Sequence, residues 1–257
     1  MRQPDAGQLL ANSAFDRLVH DLAPMSDALE RIQGILEKWE LRHGTHTFRE
    51  WNVRDDDREA HASLFLELVD SYALPFDFAL VNDAVRRQFG EDNKNRPDKS
   101  FSEYLNHAGD ITVHQSIVRY NNSQGIGNVR LREVVRNIDV SATHAVFLSM
   151  KLIEPSTDAG EPVHAMIIRE KTWTVIRGSS SRDSNEGDMT FVQSYHTMVP
   201  EVVYEGFEGE WTRKKIEGEL IPAWNMSLGT VHRRLESDLL EHSMRSSLRS
   251  LPPSTNV

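Results

Sequence analysis

The sequence predicts an α+β domain in which helices come first, an antiparallel sheet follows and one long helix closes the chain. Three observations carry this. From about residue 110 the apolar residues recur at period two, in six successive segments rich in Val, Ile, Thr and aromatic side chains. No stretch of crossover-helix length separates those segments, which argues against a parallel sheet. Beyond them Ile221, Trp224, Leu228, Val231, Leu235 and Leu239 recur at steps of three and four, with Arg233, Arg234, Glu236, Asp238 and Glu241 on the other faces, the pattern of a helix with one apolar stripe.

Residues 1–24 read as polar and aperiodic and are expected to be irregular. Met25, Leu29, Ile32, Ile35, Leu36 and Trp39 have helical spacing behind Ser26, which can cap a helix, so a helix is placed over 26–41. A short strand is expected within 45–53. The segment 62–76, ASLFLELVDSYALPF, is apolar enough to be buried and is compatible with helix or strand. Phe78, Val81, Val85 and Phe89 place a helix over 77–89, ended by Gly90, and 91–100 with Pro97 reads as a polar loop. The six strand segments are 110–120, 128–138, 143–154, 163–170, 171–177 and 190–199, so the sheet is expected over about 110–199. The long helix is expected over about 219–245, with Pro222 in its first turn, and 247–257 reads as a disordered tail. One domain, residues 25–246, thus lies between two unstructured ends.

The chain has 257 residues, 39 acidic against 29 basic side chains, a formal net charge of −10 and no cysteine. The missing thiol excludes a disulfide framework, a thiolate zinc site, an iron–sulfur cluster and a cysteine nucleophile. With 39% hydrophobic and 26% charged residues the composition is globular, and no window approaches the uncharged apolar run of a membrane helix. The first residues lack a basic segment followed by an apolar run, so an intracellular protein is expected, cytoplasmic with the nucleus as the alternative. Basic residues are dispersed among acids, which argues against nucleic acid as a partner.

Several stretches together resemble a known family. They are Val129–Arg136, His144–Met150 with Glu154-Pro155, Ile168–Ile176, Thr190–Tyr195 with Val199-Pro200, and Ile221–Ser227, preceded by Leu74–Phe78 and Asp83–Val85. Over about residues 60–242 the chain is similar to START-like domains, those related to StAR lipid-transfer proteins, and most of all to the oomycete mating-specific protein family. Lys171 stands where such relatives carry a turn glycine, and the basic-zipper-like N-terminal stretch of some relatives is absent. The resemblance implies a helix-grip fold, in which a curved antiparallel sheet grips the C-terminal helix, and binding of a lipid or other hydrophobic small molecule, with transient contact at a membrane surface.

Strand alternation supplies candidate ligand contacts. On one side of 144–152 stand Val146, Leu148 and Met150, with Leu152; His164, Met166 and Ile168 share a side of the next segment, and Val192, Ser194 and His196 share a side of the last. With Trp224, Leu228, Val231 and Leu235 of the helix they form the expected binding surface, apolar with a few polar groups. The same residues would also pack a solid core.

No catalytic or metal-ligating set emerges. The eleven histidines lack a local pair with an acidic partner at ligand spacing, His43-Gly44-Thr45 fits a helix C-terminus, and Gln124–Asn128 has the glycines of a phosphate loop without its lysine. The expected function is therefore binding without chemistry and without a cofactor. The alternatives are an interaction module with a collapsed cavity and, third, a cyclase or hydrolase, which two titratable groups converging inside the cavity would favour.

Overall fold

The computed structural model describes residues 6–43, 47–56, 63–89, 99–106, 110–122, 125–155, 166–179, 189–202 and 216–249. Two helices come first, α1 (Ala6–Asp27) and α2 (Leu29–His43), followed by strands β1 (Phe48–Asp56) and β2 (Ser63–Leu74) and helix α3 (Phe78–Phe89). Six strands follow: β3 (Lys99–Asn106), β4 (Ile111–Asn122), β5 (Gly125–Ser141), β6 (His144–Pro155), β7 (Met166–Gly178) and β8 (Thr190–Val202). A π-helical turn, Ile216–Leu220, leads into the long helix α4 (Ile221–Arg249). The eight strands form one antiparallel sheet in the order β1-β2-β8-β7-β6-β5-β4-β3. A curved antiparallel sheet with a long C-terminal helix along one side is the helix-grip arrangement.

The structure departs from the sequence reading in several places, among them residues 247–249 of the expected tail, which belong to α4. Residues 6–24, expected to be irregular, belong to α1, whose Phe15, Leu18, Leu22 and Met25 are buried. Their steps of three, four and three continue into Ile32 and Leu36 of α2, so the arm forms one stripe interrupted at Ala28. Pro24 contributes no N–H to the ladder, and the helix breaks four residues further on. Residues 166–170 of the segment 163–170 run straight on into 171–177 as one strand, β7, with Lys171 mid-strand opposite Met150 and Thr197, so no turn exists there. The sheet is wider than 110–199, since β1 and β2 extend it beyond β8 and resolve segment 62–76 as strand. Finally Phe101–Asn106, to which no element was assigned, runs in β3. The polar stretch 91–98, Gly44-Thr45 and residues 250–257 of the expected tail lie outside the described residues.

Helices cover both faces of the central strands. On one face α1 and α2 pack Phe15, Leu18, Leu22, Met25, Ile32 and Leu36 onto Val69, Val113, Val134, Val146, Leu148, Met150, Trp173, Val175 and Tyr195. The Trp173 indole N–H donates to the Met25 carbonyl at 3.0 Å and ties the arm to the sheet. On the other face α3 and the C-terminal half of α4 pack Val81, Ala84, Val85, Leu235 and Leu239 onto Leu74, Val135, Ala145, Phe147, Ile176 and Val192. Asp77 caps α3, its carboxylate accepting the Leu80 N–H at 2.9 Å. At Gly178 the sheet lies close against the start of α3: a Cβ there would lie 2.9 Å from the Phe78 Cβ.

Both coverings are core. Leu22→Ala and Phe147→Ala are each expected to lower unfolding free energy in urea by about 2–5 kcal/mol. A Leu22 variant of unchanged stability would show that the arm is not docked.

Candidate functional site

Register decides which side chains share a face. Val146 pairs with Val175, Leu148 with Trp173 and Met150 with Lys171, so the expected contacts Val146, Leu148 and Met150 lie under α1 and α2, away from α4. This corrects the expected surface. The reason is that the sheet is covered twice: the more apolar set of β6 is consumed by the N-terminal arm, and the set facing α4 is Ala145, Phe147, Ser149, Lys151 and Ile153. Ile168, Val192, Ser194 and His196 do face α4. Ile168 packs with Leu66, Met198 and Ile216, and Val192 joins the cluster under Leu235. His164 lies outside the described residues, and Met166 opens β7 opposite Val202.

Between these two apolar clusters the sheet carries a band of polar groups. Consecutive pairings set Glu170, Lys151, Glu133 and His114 side by side on β7, β6, β5 and β4. The neighbouring row is His196, Thr172 and Ser149. Lys151 Nζ lies 3.5 Å from Glu170 Oε2 and 3.6 Å from Glu133 Oε1. Glu170 Oε1 meets His196 Nδ1 at 2.8 Å and accepts the Thr172 hydroxyl at 3.2 Å. The Ser149 hydroxyl donates to Glu133 Oε1 at 2.8 Å. All but Lys151 are buried; Lys151 keeps 23% of its side chain accessible. His196 Nε2 is buried with no hydrogen-bond partner among the described residues.

The electrostatics follow from the pairing. Burial pushes the Glu170 pKa up, but the Lys151 ammonium and the hydrogen bonds from His196 and Thr172 outweigh it and hold the group at about 2. Burial likewise opposes charge on Lys151, and Glu170 and Glu133 together raise its pKa. Glu170 and Lys151 are thus ionised at neutral pH, on the face toward the helix.

Helix α4 is fastened at both ends of its stripe and open in the middle. Trp224 packs onto the cluster of Leu66, Ile168, Met198 and Ile216, and Leu235 and Leu239 join the opposite cluster. Leu228 and Val231 belong to neither and stay half-buried. A polar latch secures this stretch to β1 and β2. The Arg49 guanidinium donates to both Asp70 oxygens at 2.9 and 3.2 Å and to the Asn225 carbonyl at 3.3 Å. His232 Nε2 is 2.9 Å from Asp70 Oδ2, its ring stacks near Tyr72 at 3.9 Å, and the Trp51 indole donates to Asn225 Oδ1 at 2.9 Å. Desolvation opposes the ionised Asp70, yet the bonds from His232 and Arg49 leave its pKa lowered.

Of the residues singled out from the sequence, Ile168, Val192, Ser194 and His196 share the side of the sheet toward α4. Sequence reasoning missed Glu133, Ser149, Lys151, Glu170 and Thr172, although alternation along β6 and β7 sets Ser149 and Lys151, and Glu170 and Thr172, on shared faces. It also missed the latch residues Arg49, Asp70 and His232, which lie on three elements far apart in the chain. On the arm side, a separate cleft of about 200 Å³ is lined by Gln33, Leu36, Glu37, His144, Val175 and Arg177.

Acid stability should expose the buried carboxylates Asp70 and Glu170. Both have folded pKa values below the unfolded ones, so each stabilises the fold fully above the unfolded carboxylate range and loses that contribution as pH falls through its folded value. The melting temperature is expected to drop between about pH 5 and 2. Glu170→Gln should melt lower at pH 7 and show a shallower acid-side drop in calorimetry. A variant whose profile runs parallel to the wild type would show that Glu170 is not held ionised.

No family model matches the chain, and no curated protein matches it. Solved structures do match. Human STARD10 aligns with 77% of this chain and 76% of its own at 6% identity and a TM-score of 0.43. A STAR-related lipid transfer protein fragment from Xanthomonas axonopodis covers 60% of this chain and 82% of its own at 11% identity, TM-score 0.34. The Zhui aromatase/cyclase from Streptomyces sp. R1128 covers 75% and 99% at 12% identity, TM-score 0.37. Likeness at this level carries no argument about this chain, whose helix-grip arrangement stands on its own sheet and C-terminal helix.

Proposed function

We propose that the chain binds one lipid or other hydrophobic small molecule between the sheet and α4, without chemical conversion. The observation that carries this reading is the polar band Glu133, Lys151, Glu170 and His196, in which Lys151 and Glu170 are held as an ion pair, lying on the helix-facing side of the sheet between two apolar clusters. Charges taken out of water and set among apolar groups do not improve a core, whereas a few polar groups in an apolar wall orient a guest. The half-buried Leu228 and Val231 supply the opposite wall. Exchange at a membrane surface, a cytoplasmic location and kinship with the oomycete mating-specific proteins belong to the same reading, the last carried by the motifs in residues 60–242.

One observation favours a second reading, an enzyme of proton transfer. Glu170 and His196 converge at 2.8 Å, and a carboxylate that orients an imidazole through Nδ1 leaves Nε2 as the working nitrogen of a general base. Conversion of a bound ligand by the wild-type protein, lost in His196→Gln, would support it.

Native mass spectrometry of the protein purified from cells is expected to show a co-purifying apolar molecule. Leu228→Trp should fill the space opposite the band, so that uptake of a fluorescent long-chain probe falls while the melting temperature changes little. In a solid core the same substitution would cost about 1–3 kcal/mol through overpacking. That loss, with no uptake by the parent protein, would leave the interaction module as the function.

A further inference from the structure

We infer that the Glu170–His196 pair makes the site selective for an apolar ligand whose polar end is a hydroxyl, and turns away one that ends in a carboxylate. The inference rests on the binding function proposed above and adds the chemistry of the ligand head.

It follows from counting donors and acceptors in the band. Glu133 accepts from Ser149 at 2.8 Å and faces the Lys151 ammonium. Glu170 accepts from Thr172 and faces the same ammonium. A carboxylate held ionised offers only acceptors, so the contact at 2.8 Å requires His196 Nδ1 to carry the hydrogen. A hydrogen on Nε2 would be a buried donor with no acceptor, so Nε2 is left a bare lone pair, the atom that is buried with no partner among the described residues. A ligand completing this set must donate. A hydroxyl donates to Nε2 and adds no charge, whereas an ionised carboxylate only accepts.

The experiment compares two ligands with the same tail. Binding of oleyl alcohol and oleic acid to the full chain is measured by calorimetry at pH 7.5, below the critical aggregation concentration of the acid. The alcohol is expected to bind at least about tenfold more tightly, the scale set by one buried hydrogen bond made or missed. In Glu170→Gln the neutral amide can face either ring tautomer, and the preference should narrow to within about threefold. A purely structural role for Glu170 would weaken both ligands equally and overturn the inference. The second measurement needs no variant: the imidazole 15N resonances of wild-type His196 should show a protonated Nδ1 and an unprotonated Nε2, and a ring carrying hydrogen on Nε2 overturns the assignment. Equal or tighter binding of the acid refutes the selectivity while leaving the apolar site intact. Failure of both ligands to bind removes the site itself, and the inference with it.

Discussion

Burial of both faces of the central strands is the constraint from which the rest of this structure follows. From Ala145 to Met150 every residue of β6 is buried, odd positions under α3 and α4 and even positions under the N-terminal arm. A strand in that position has no solvent face, so its register against β5 and β7 must satisfy two packings at once. A slip of one residue would exchange Leu148 and Met150 with Ser149 and Lys151. The arm would then meet an ammonium, and the Glu133–Lys151–Glu170 row would come apart. The apolar groups under α1 and α2 and the charged row under α4 therefore specify the same register from opposite sides.

The charged row is a local exception to the rule that cores are apolar. Two carboxylates, an ammonium and an imidazole out of water are tolerable only because each is paired: Lys151 bridges both glutamates, and Ser149, Thr172 and His196 take further lone pairs. Removing one partner strands the others, which makes the row more sensitive to substitution than the clusters flanking it. A network of this kind adds little to stability over well-packed hydrophobic groups of the same volume, and its value lies in what it presents to the helix side.

The long helix is held in a different manner at each place. Leu235 and Leu239 are ordinary core, and Trp224 packs on the opposite cluster, while the turn between depends on polar contacts from β1 and β2. Arg49 joins the buried Asp70 to the Asn225 carbonyl, and His232 reaches the same carboxylate. Hydrogen bonds localise a helix without requiring close packing beneath it, so the latch holds α4 in place while Leu228 and Val231 stay half-buried.

Much of the architecture was legible in the chain alone, because period and composition are local. The period-two runs of 110–199, the stripe Ile221–Leu239 and the helix at Phe78–Phe89 each declare themselves within a few turns or strand residues. The arm was legible too, in the steps Phe15, Leu18, Leu22 and Met25, but its polar intervening residues obscured them. What only the tertiary structure decided is which face of each strand meets which helix. Alternation divides β6 into Val146, Leu148, Met150 and Phe147, Ser149, Lys151 without saying which set turns toward α4, and a sheet covered on both sides removes the usual clue that the apolar set is the inner one. The site depends on that choice. Glu133, Lys151, Glu170 and His196 are separated by up to dozens of residues in sequence and become neighbours only through the β5-β6-β7-β8 pairings, just as Arg49, Asp70 and His232 meet only when α4 lies across β1 and β2. Local spacing encodes elements; charge pairing across strands is a property of register, which a single strand does not contain.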